Sequence, residues 1–130
     1  MLLFVSACTL LKEQNTEHAC VKLMAEDFYV ETQRHPEALL LDTRIVREYK
    51  EERIPGARFA GTRDALNRLV DSLDRDVPLY IYCEHEDRTA TVCDILIGKK
   101  GFKNVHALQG GYYMWKKVNL PVDTSHRQVY

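Results

Sequence analysis

The chain has 130 residues, 45% of them hydrophobic and 28% charged, a length and balance that suit one folded domain with one core. Its formal net charge of -1 provides no global attraction to nucleic acid or to an anionic membrane surface. No apolar run is long enough to span a bilayer, and the four cysteines form no CxxC pair and stand beside no histidine cluster at zinc-site spacing.

The chain opens on an apolar run from Met1 to Ala7 that ends in Cys8. Val5, Ser6, Ala7 and Cys8 resemble the lipobox of a bacterial lipoprotein signal, which implies a lipid anchor through Cys8 and a place in the cell envelope as a periplasmic lipoprotein. The basic n-region of such signals is missing and the apolar stretch is short. The competing expectation is a frayed apolar N-terminus on a cytoplasmic protein. Leu11 to His18 reads as a polar tether. The expected division is therefore 1–19 as apolar segment and tether, 20–122 as the domain, and 123–130 as a C-terminal tail.

Val21 to Met24 is short and partly alternating, the pattern of an edge strand. Ala25 to Gln33 predicts a helix with Glu26 and Asp27 in its first turn, where the helix dipole favours acids, and Pro36 stops it. Leu39 to Leu41 suits a buried parallel strand. Thr43 to Glu52 is charged and helix-like, and within it Arg44 and Glu48 are expected to pair weakly at i, i+4. Ile54, Pro55, Gly56 and Ala57 signal a turn. Thr62 caps a predicted helix with Leu66, Leu69, Val70 and Leu73 on one face.

Val77 to Tyr82 is the strongest strand in the chain. Thr89 to Lys100 predicts a helix with Val92, Cys93, Leu96 and Ile97 apolar, Lys99 and Lys100 at its C-terminal end, and Gly101 closing it. Val105 to Leu108 reads as another short strand, after which Gly110 and Gly111 open a last helical turn through Trp115. Strands alternating with helices predict an α/β fold with a mostly parallel sheet.

Cys83 directly follows the strongest strand, and Thr89 begins a helix five residues after Glu84. Ligands of a parallel α/β sheet collect at the carboxyl ends of its strands. A short strand-to-helix loop there turns backbone N–H groups inward, and the helix directs its positive end at the same spot. The expectation is a lowered thiol pKa, a stabilised thiolate or persulfide, and Arg88 as a fixed positive charge beside it. Free cysteines are more often small buried hydrophobes, the expectation for Cys93 on the apolar side of its helix; Cys20 carries no motif.

Several blocks together resemble the single-domain rhodanese-like (sulfurtransferase) family. They are Leu40-Leu41-Asp42-Thr43-Arg44, Glu48-Tyr49, Ile54-Pro55-Gly56-Ala57, the Cys83 loop, and Leu108-Gln109-Gly110-Gly111 through Trp115 to Pro121-Val122. The resemblance covers about residues 20 to 122. It implies an α/β fold, a single rhodanese-like domain whose central, mostly parallel five-stranded sheet is flanked by helices on both faces. It implies Cys83 as the sulfur-accepting nucleophile, and Glu84, His85, Glu86, Asp87 and Arg88 as the rest of a six-residue loop that cradles a persulfide with backbone N–H groups. Asp42 and Arg44 match a structural Asp-x-Arg element; the Gly-Gly pair and Trp115 are structural too.

The spacing Cys83-x4-Arg88 is one residue shorter than the Cys-x5-Arg of the related phosphatases and arsenate reductases, so it favours sulfur over phosphate. Where the family loop often carries glycine, this chain has Glu86, which is expected to strain or reshape the loop. Glu84, Glu86 and Asp87 face only Arg88 and His85, a poor setting for the thiosulfate dianion. The expected donor of sulfane sulfur is therefore another persulfide, on a protein or a small thiol, and the acceptor a thiol or a cyanide-like nucleophile. Two alternatives stand beside this. One is a weakly active or inactive rhodanese-like protein-binding module; the other is an envelope thiol-redox protein in which Cys83 pairs with Cys20 or Cys93. His85 is expected as an exposed loop residue, the alternative being that it tunes the Cys83 thiolate or acts as an acid, and His106 as structural. No cofactor and no metal site is expected.

Overall fold

The computed structural model describes residues 20–129. The lipobox-like run and tether expected over 1–19, with Cys8, lie outside the described residues. Five strands form the sheet: β1 (Val21–Leu23), β2 (Leu39–Asp42), β3 (Arg58–Phe59), β4 (Leu79–Tyr82) and β5 (Val105–Leu108). Their order is β1-β5-β4-β2-β3, and every pairing is parallel. The helices are α1 (Ala25–Arg34), α2 (Val46–Glu51), α3 (Arg63–Val70), α4 (Thr89–Cys93), which a π-helical stretch (Asp94–Lys99) prolongs, and α5 (Gly111–Lys117).

The central strand explains the two layers. All four residues of β4 are buried, as a strand covered on both faces must be. Side chains alternate along it. Leu79 and Ile81 enter a cluster with Leu66 and Val70 of α3 and with Leu96 and Phe102. Tyr80 and Tyr82 enter the opposite cluster with Phe28 of α1 and Tyr112 and Trp115 of α5. There Phe28 stands edge-on to both Tyr80 and Trp115, the arrangement ring quadrupoles favour. Burying each large apolar side chain stabilises the fold by about 2 kcal/mol.

The expected parallel α/β sheet with helices on both faces is the observed one, and several local expectations need correction. The helix expected from Thr43 begins only at Val46. Thr43 instead continues beside β4, its backbone N–H and its hydroxyl both donating to the Tyr82 carbonyl. Arg44 lies outside the helix and does not form the expected side-chain pair with Glu48; it meets only the Glu48 main-chain carbonyl, at 3.5 Å. Arg58–Phe59 is a strand that no sequence pattern announces, because two residues are too few to show a period of two. Thr62 caps α3 as expected, its hydroxyl accepting from the Ala65 N–H.

Cys93 is buried, as expected, yet it is not a plain core residue: it is disulfide-bonded to Cys20, across a sequence separation of 73. This bond ties the start of β1 to the end of α4. It also overturns the pairing of Cys83 with either residue, since Cys83 is the free cysteine among the described residues. Beyond residue 122, Asp123 forms an isolated antiparallel bridge with Arg53, and their side chains pair at 2.9 Å.

Candidate active site

The strand order reverses at β2 and β4. The chain leaves β2 toward β3 on one side and leaves β4 toward β5 on the other, and such a reversal opens a crevice at the strands' carboxyl ends. Cys83 stands at that point, followed by a loop that ends where α4 begins at Thr89. The residue is only 1% exposed, so its side chain is withdrawn from solvent. The backbone N–H groups of Arg88 and Thr89 are directed at it.

The surroundings of the thiol work against its ionisation. Burial pushes its pKa above the ordinary value, and the two N–H groups oppose that shift without overcoming it. The Asp87 carboxylate adds to the rise: its Oδ1 lies 3.6 Å from Sγ and accepts from the thiol. The expected lowering is thus reversed. A cradle of two N–H groups is outweighed by desolvation and a like charge close by.

The rest of the loop is placed as follows. Glu84 is partly buried and accepts from the Arg44 guanidinium at 3.2 Å. His85 is exposed, as expected, and leans against the Tyr113 ring, with centroids 5.4 Å apart. Glu86 is exposed, and its carbonyl accepts from the Thr89 N–H at 3.2 Å and the Thr89 hydroxyl at 2.7 Å. No loop residue has positive φ, so Glu86 is accommodated without left-handed backbone strain. The guanidinium of Arg88 does not sit over the thiol; it donates to the Thr43 carbonyl at 3.4 Å, across the crevice.

Two supports lie under the loop, both built on residues expected to be structural, though the sequence does not say what they hold. Arg44 is buried against Asp42, with Nε 3.1 Å from both carboxylate oxygens and Nη2 2.8 Å from Oδ2. Tyr82, from β4, donates to the same carboxylate at 2.7 Å. Burial works against the Arg44 charge, yet the bonds and charge of Asp42 hold its pKa above the ordinary value. Arg44 also stacks on Tyr112, 4.1 Å from the ring centroid. Through Glu84, this buried pair reaches the Cys83 loop.

The second support is the start of α5. The N–H groups of Tyr112 and Tyr113 donate to the carbonyls of Cys83 and Glu84 at 2.8 and 3.0 Å. Gly111 makes that approach feasible. A Cβ there would lie 2.5 Å from the carbonyl oxygens of both Glu84 and His85, and its φ of +67 is one that side chains rarely adopt. The Gly-Gly pair in the sequence signals a tight turn; its role as a floor for the loop depends on contacts across the sheet.

Comparison with known proteins agrees with this geometry. The family described as "Rhodanese-like domain" matches residues 25–118. Thiosulfate sulfurtransferase GlpE of Actinobacillus succinogenes is 29% identical over 89 residues, 68% of this chain and 78% of its own. GlpE of Pseudomonas paraeruginosa is 30% identical over 88 residues, 68% of this chain and 77% of its own. Among solved structures, the rhodanese-like domain of the Alr3790 protein from Anabaena sp. superposes with a TM-score of 0.68 at 23% identity, over 84% of this chain and 88% of that one. A thiosulfate sulfurtransferase from Pseudomonas aeruginosa superposes with a TM-score of 0.67 at 23% identity, over 85% of this chain and 21% of the other. At that identity the structural likeness concerns the fold.

Proposed function

We propose that this chain, which belongs to the rhodanese-like family, is a sulfurtransferase that carries sulfane sulfur as a persulfide on Cys83. The Cys83 thiolate attacks the outer sulfur of a donor R–S–SH. The donor's S–S bond breaks, its electron pair leaves with R–S⁻, and Cys83 holds the outer sulfur. An acceptor thiolate then attacks that sulfur, and the Cys83 thiolate leaves. Neither half-reaction needs an external oxidant or reductant.

The observation that carries this reading is the pair of N–H groups, from Arg88 and Thr89, directed at a buried Sγ where the strand order reverses. A persulfide is more acidic than a thiol and extends one atom further, so its anion gains more from such donors than the resting thiol does. The donor is another persulfide rather than thiosulfate. In thiosulfate the sulfonate is bonded directly to the sulfane sulfur, so docking brings its charge against Asp87, 3.6 Å from Sγ. Intact mass of the wild type and of Cys83→Ser, after exposure to thiosulfate and to a small-thiol persulfide, tests both points. One added sulfur atom in the wild type alone supports the carrier role. No gain from either donor favours a protein-binding module instead, and cyanide-dependent turnover of thiosulfate at the rate of an efficient rhodanese defeats the donor assignment.

The Cys20–Cys93 disulfide supports an oxidising compartment such as the cell envelope, because cytosolic thiol buffers keep such bonds reduced. Thiol counting on protein isolated from its native compartment, under conditions that trap free thiols at once, tests this: a trapped Cys93 argues for the cytoplasm.

A further inference from the structure

A groove of about 310 Å³ lies on the β1–β5 side of the Cys83 loop, between the start of α1 and α5. Met24, Met114 and Val118 give it apolar walls, and Met24 and Val118 are exposed. Gly110 lets Met114 pack against the backbone there, since a Cβ on that glycine would lie 2.8 Å from the Met114 Cβ. The next residue is Gly111, which meets the loop carbonyls, so groove and loop share one turn. Glu26 and Glu86 also line the groove; both are exposed, and neither is ion-paired among the described residues. Among the described residues that line it there is no lysine or arginine.

Methionine side chains adapt to the shape of an apolar partner, and the two unpaired carboxylates favour cations. An anionic lipid surface is repelled by both acids, and a neutral or acidic segment leaves them unpaired. The matching occupant is a protein segment with an apolar side chain flanked by lysine or arginine. Sulfur exchange favours the same chemistry: a persulfide passes its sulfur to a thiolate, and neighbouring cations lower a thiol's pKa toward neutrality. Glu86 is three residues from Cys83, so the two Cα atoms are at most about 11 Å apart.

Resting on the persulfide-carrier reading above, we propose that this groove docks a protein partner through a basic, apolar segment, and that a cysteine beside that segment takes the sulfur from Cys83. The apolar side chain lies against Met24 and Met114, and the cations meet Glu26 and Glu86. The partner's thiolate attacks the outer sulfur of the Cys83 persulfide. The bond from that sulfur to Sγ breaks, its electron pair returns to Cys83 as thiolate, and the proton shed by the partner's thiol ends on the transferred sulfur.

Two measurements on the full chain test this. The first follows amide NMR shifts as the peptide Lys-Leu-Arg-Gly-Ser, whose serine cannot accept sulfur, is added. Saturable shifts at Glu26, Glu86, Gly110 and Met114 are expected, and E26K is expected to raise the apparent Kd by about fivefold or more. Glu26 is exposed and lies on α1, outside the Cys83 loop, so this variant changes the groove's charge and leaves the loop alone. Shifts absent from these amides, or an affinity unchanged in E26K, overturn the proposal. The second loads Cys83 with sulfur and compares kcat/KM for the acceptors Lys-Leu-Arg-Gly-Cys and Glu-Leu-Glu-Gly-Cys. The basic peptide is expected to lead by about tenfold or more, and its lead to shrink by about fivefold or more in E26K. Equal values for the two peptides, or a ratio that E26K leaves constant, overturn the proposal. If Cys83 takes up no sulfur, the carrier reading fails, and the NMR result still decides whether the groove docks a basic segment.

Discussion

Sγ of Cys83 and Oδ1 of Asp87 lie 3.6 Å apart, so this carboxylate raises the pKa of the thiol instead of lowering it. Asp87 itself is held below its ordinary carboxylate value, first by backbone hydrogen bonds. It is therefore ionised at neutral pH and acts on the thiol as a fixed negative charge.

Asp87→Asn keeps the shape of the side chain and removes that charge. The Cys83 pKa is expected to fall toward the ordinary thiol value, since burial still raises it and the N–H groups of Arg88 and Thr89 still oppose burial. The pH profile of alkylation by iodoacetamide moves to lower pH in the variant. A profile that stays put, or moves up, removes Asp87 from the account.

The raised thiol pKa also links folding to pH. The folded chain holds the Cys83 proton more tightly than the unfolded chain does. The resulting stability is fully present below the unfolded thiol pKa of about 8.5 and is lost as pH rises through the folded value. Burial raises the buried Tyr82 hydroxyl in the same direction. Urea denaturation is expected to show stability declining in the alkaline range, with Cys83→Ser losing the thiol's share and keeping the tyrosines' share. Identical alkaline slopes for the two proteins contradict the linkage.

Gly111→Ala tests the floor under the loop. The added methyl meets the carbonyl oxygens of Glu84 and His85 at 2.5 Å, and positive φ adds strain of its own. A loss of about 1–3 kcal/mol in stability is expected. Sulfur uptake is expected to fall by an order of magnitude or more even where the variant remains folded, because the loop carbonyls must move. Unchanged uptake with normal stability would show that the loop does not depend on α5.

Asp42→Ala leaves the Arg44 guanidinium buried without its main partner, while Arg44 is only 3% exposed. Breaking one side of a buried pair costs about 3–5 kcal/mol. Asp42→Asn keeps an acceptor for Tyr82 and Arg44 and is expected to cost less. Thermal unfolding of the two variants checks the order, and equal stability of wild type and Asp42→Ala rules out the pair as a main support.

Replacing both Cys20 and Cys93 by serine removes a cross-link over a separation of 73 residues. The chain-entropy model assigns such a loop about 4 kcal/mol, which is expected to appear as a lower midpoint in denaturant. Sulfur uptake by the folded fraction is expected to persist, since Cys83 is outside the bond. Loss of uptake at full folding would point to a redox role for the disulfide.

Much of this protein is already present in its linear pattern. The apolar run ending at Tyr82, the capping Thr62 and the helix after Thr89 each depend on neighbours in the chain, so local spacing reveals them. The count from Cys83 to Arg88 and the acids between them are likewise properties of the chain. The short strand Arg58–Phe59 lies outside this reach, because it exists only through pairing with β2. The fate of Cys93 is similar: apolar periodicity shows that it is buried, and only the fold shows that Cys20 waits there.

At the site, the sequence by itself determined which residue is the nucleophile's candidate and which loop surrounds it, because strand, loop and helix are contiguous. Tertiary structure alone decided how that loop behaves. Arg88 turns to Thr43, Glu84 to Arg44, and the loop carbonyls to α5, all partners distant in sequence. The thiol's pKa depends on burial and on the balance of nearby charges and N–H groups, and both are set by packing in three dimensions rather than by order along the chain.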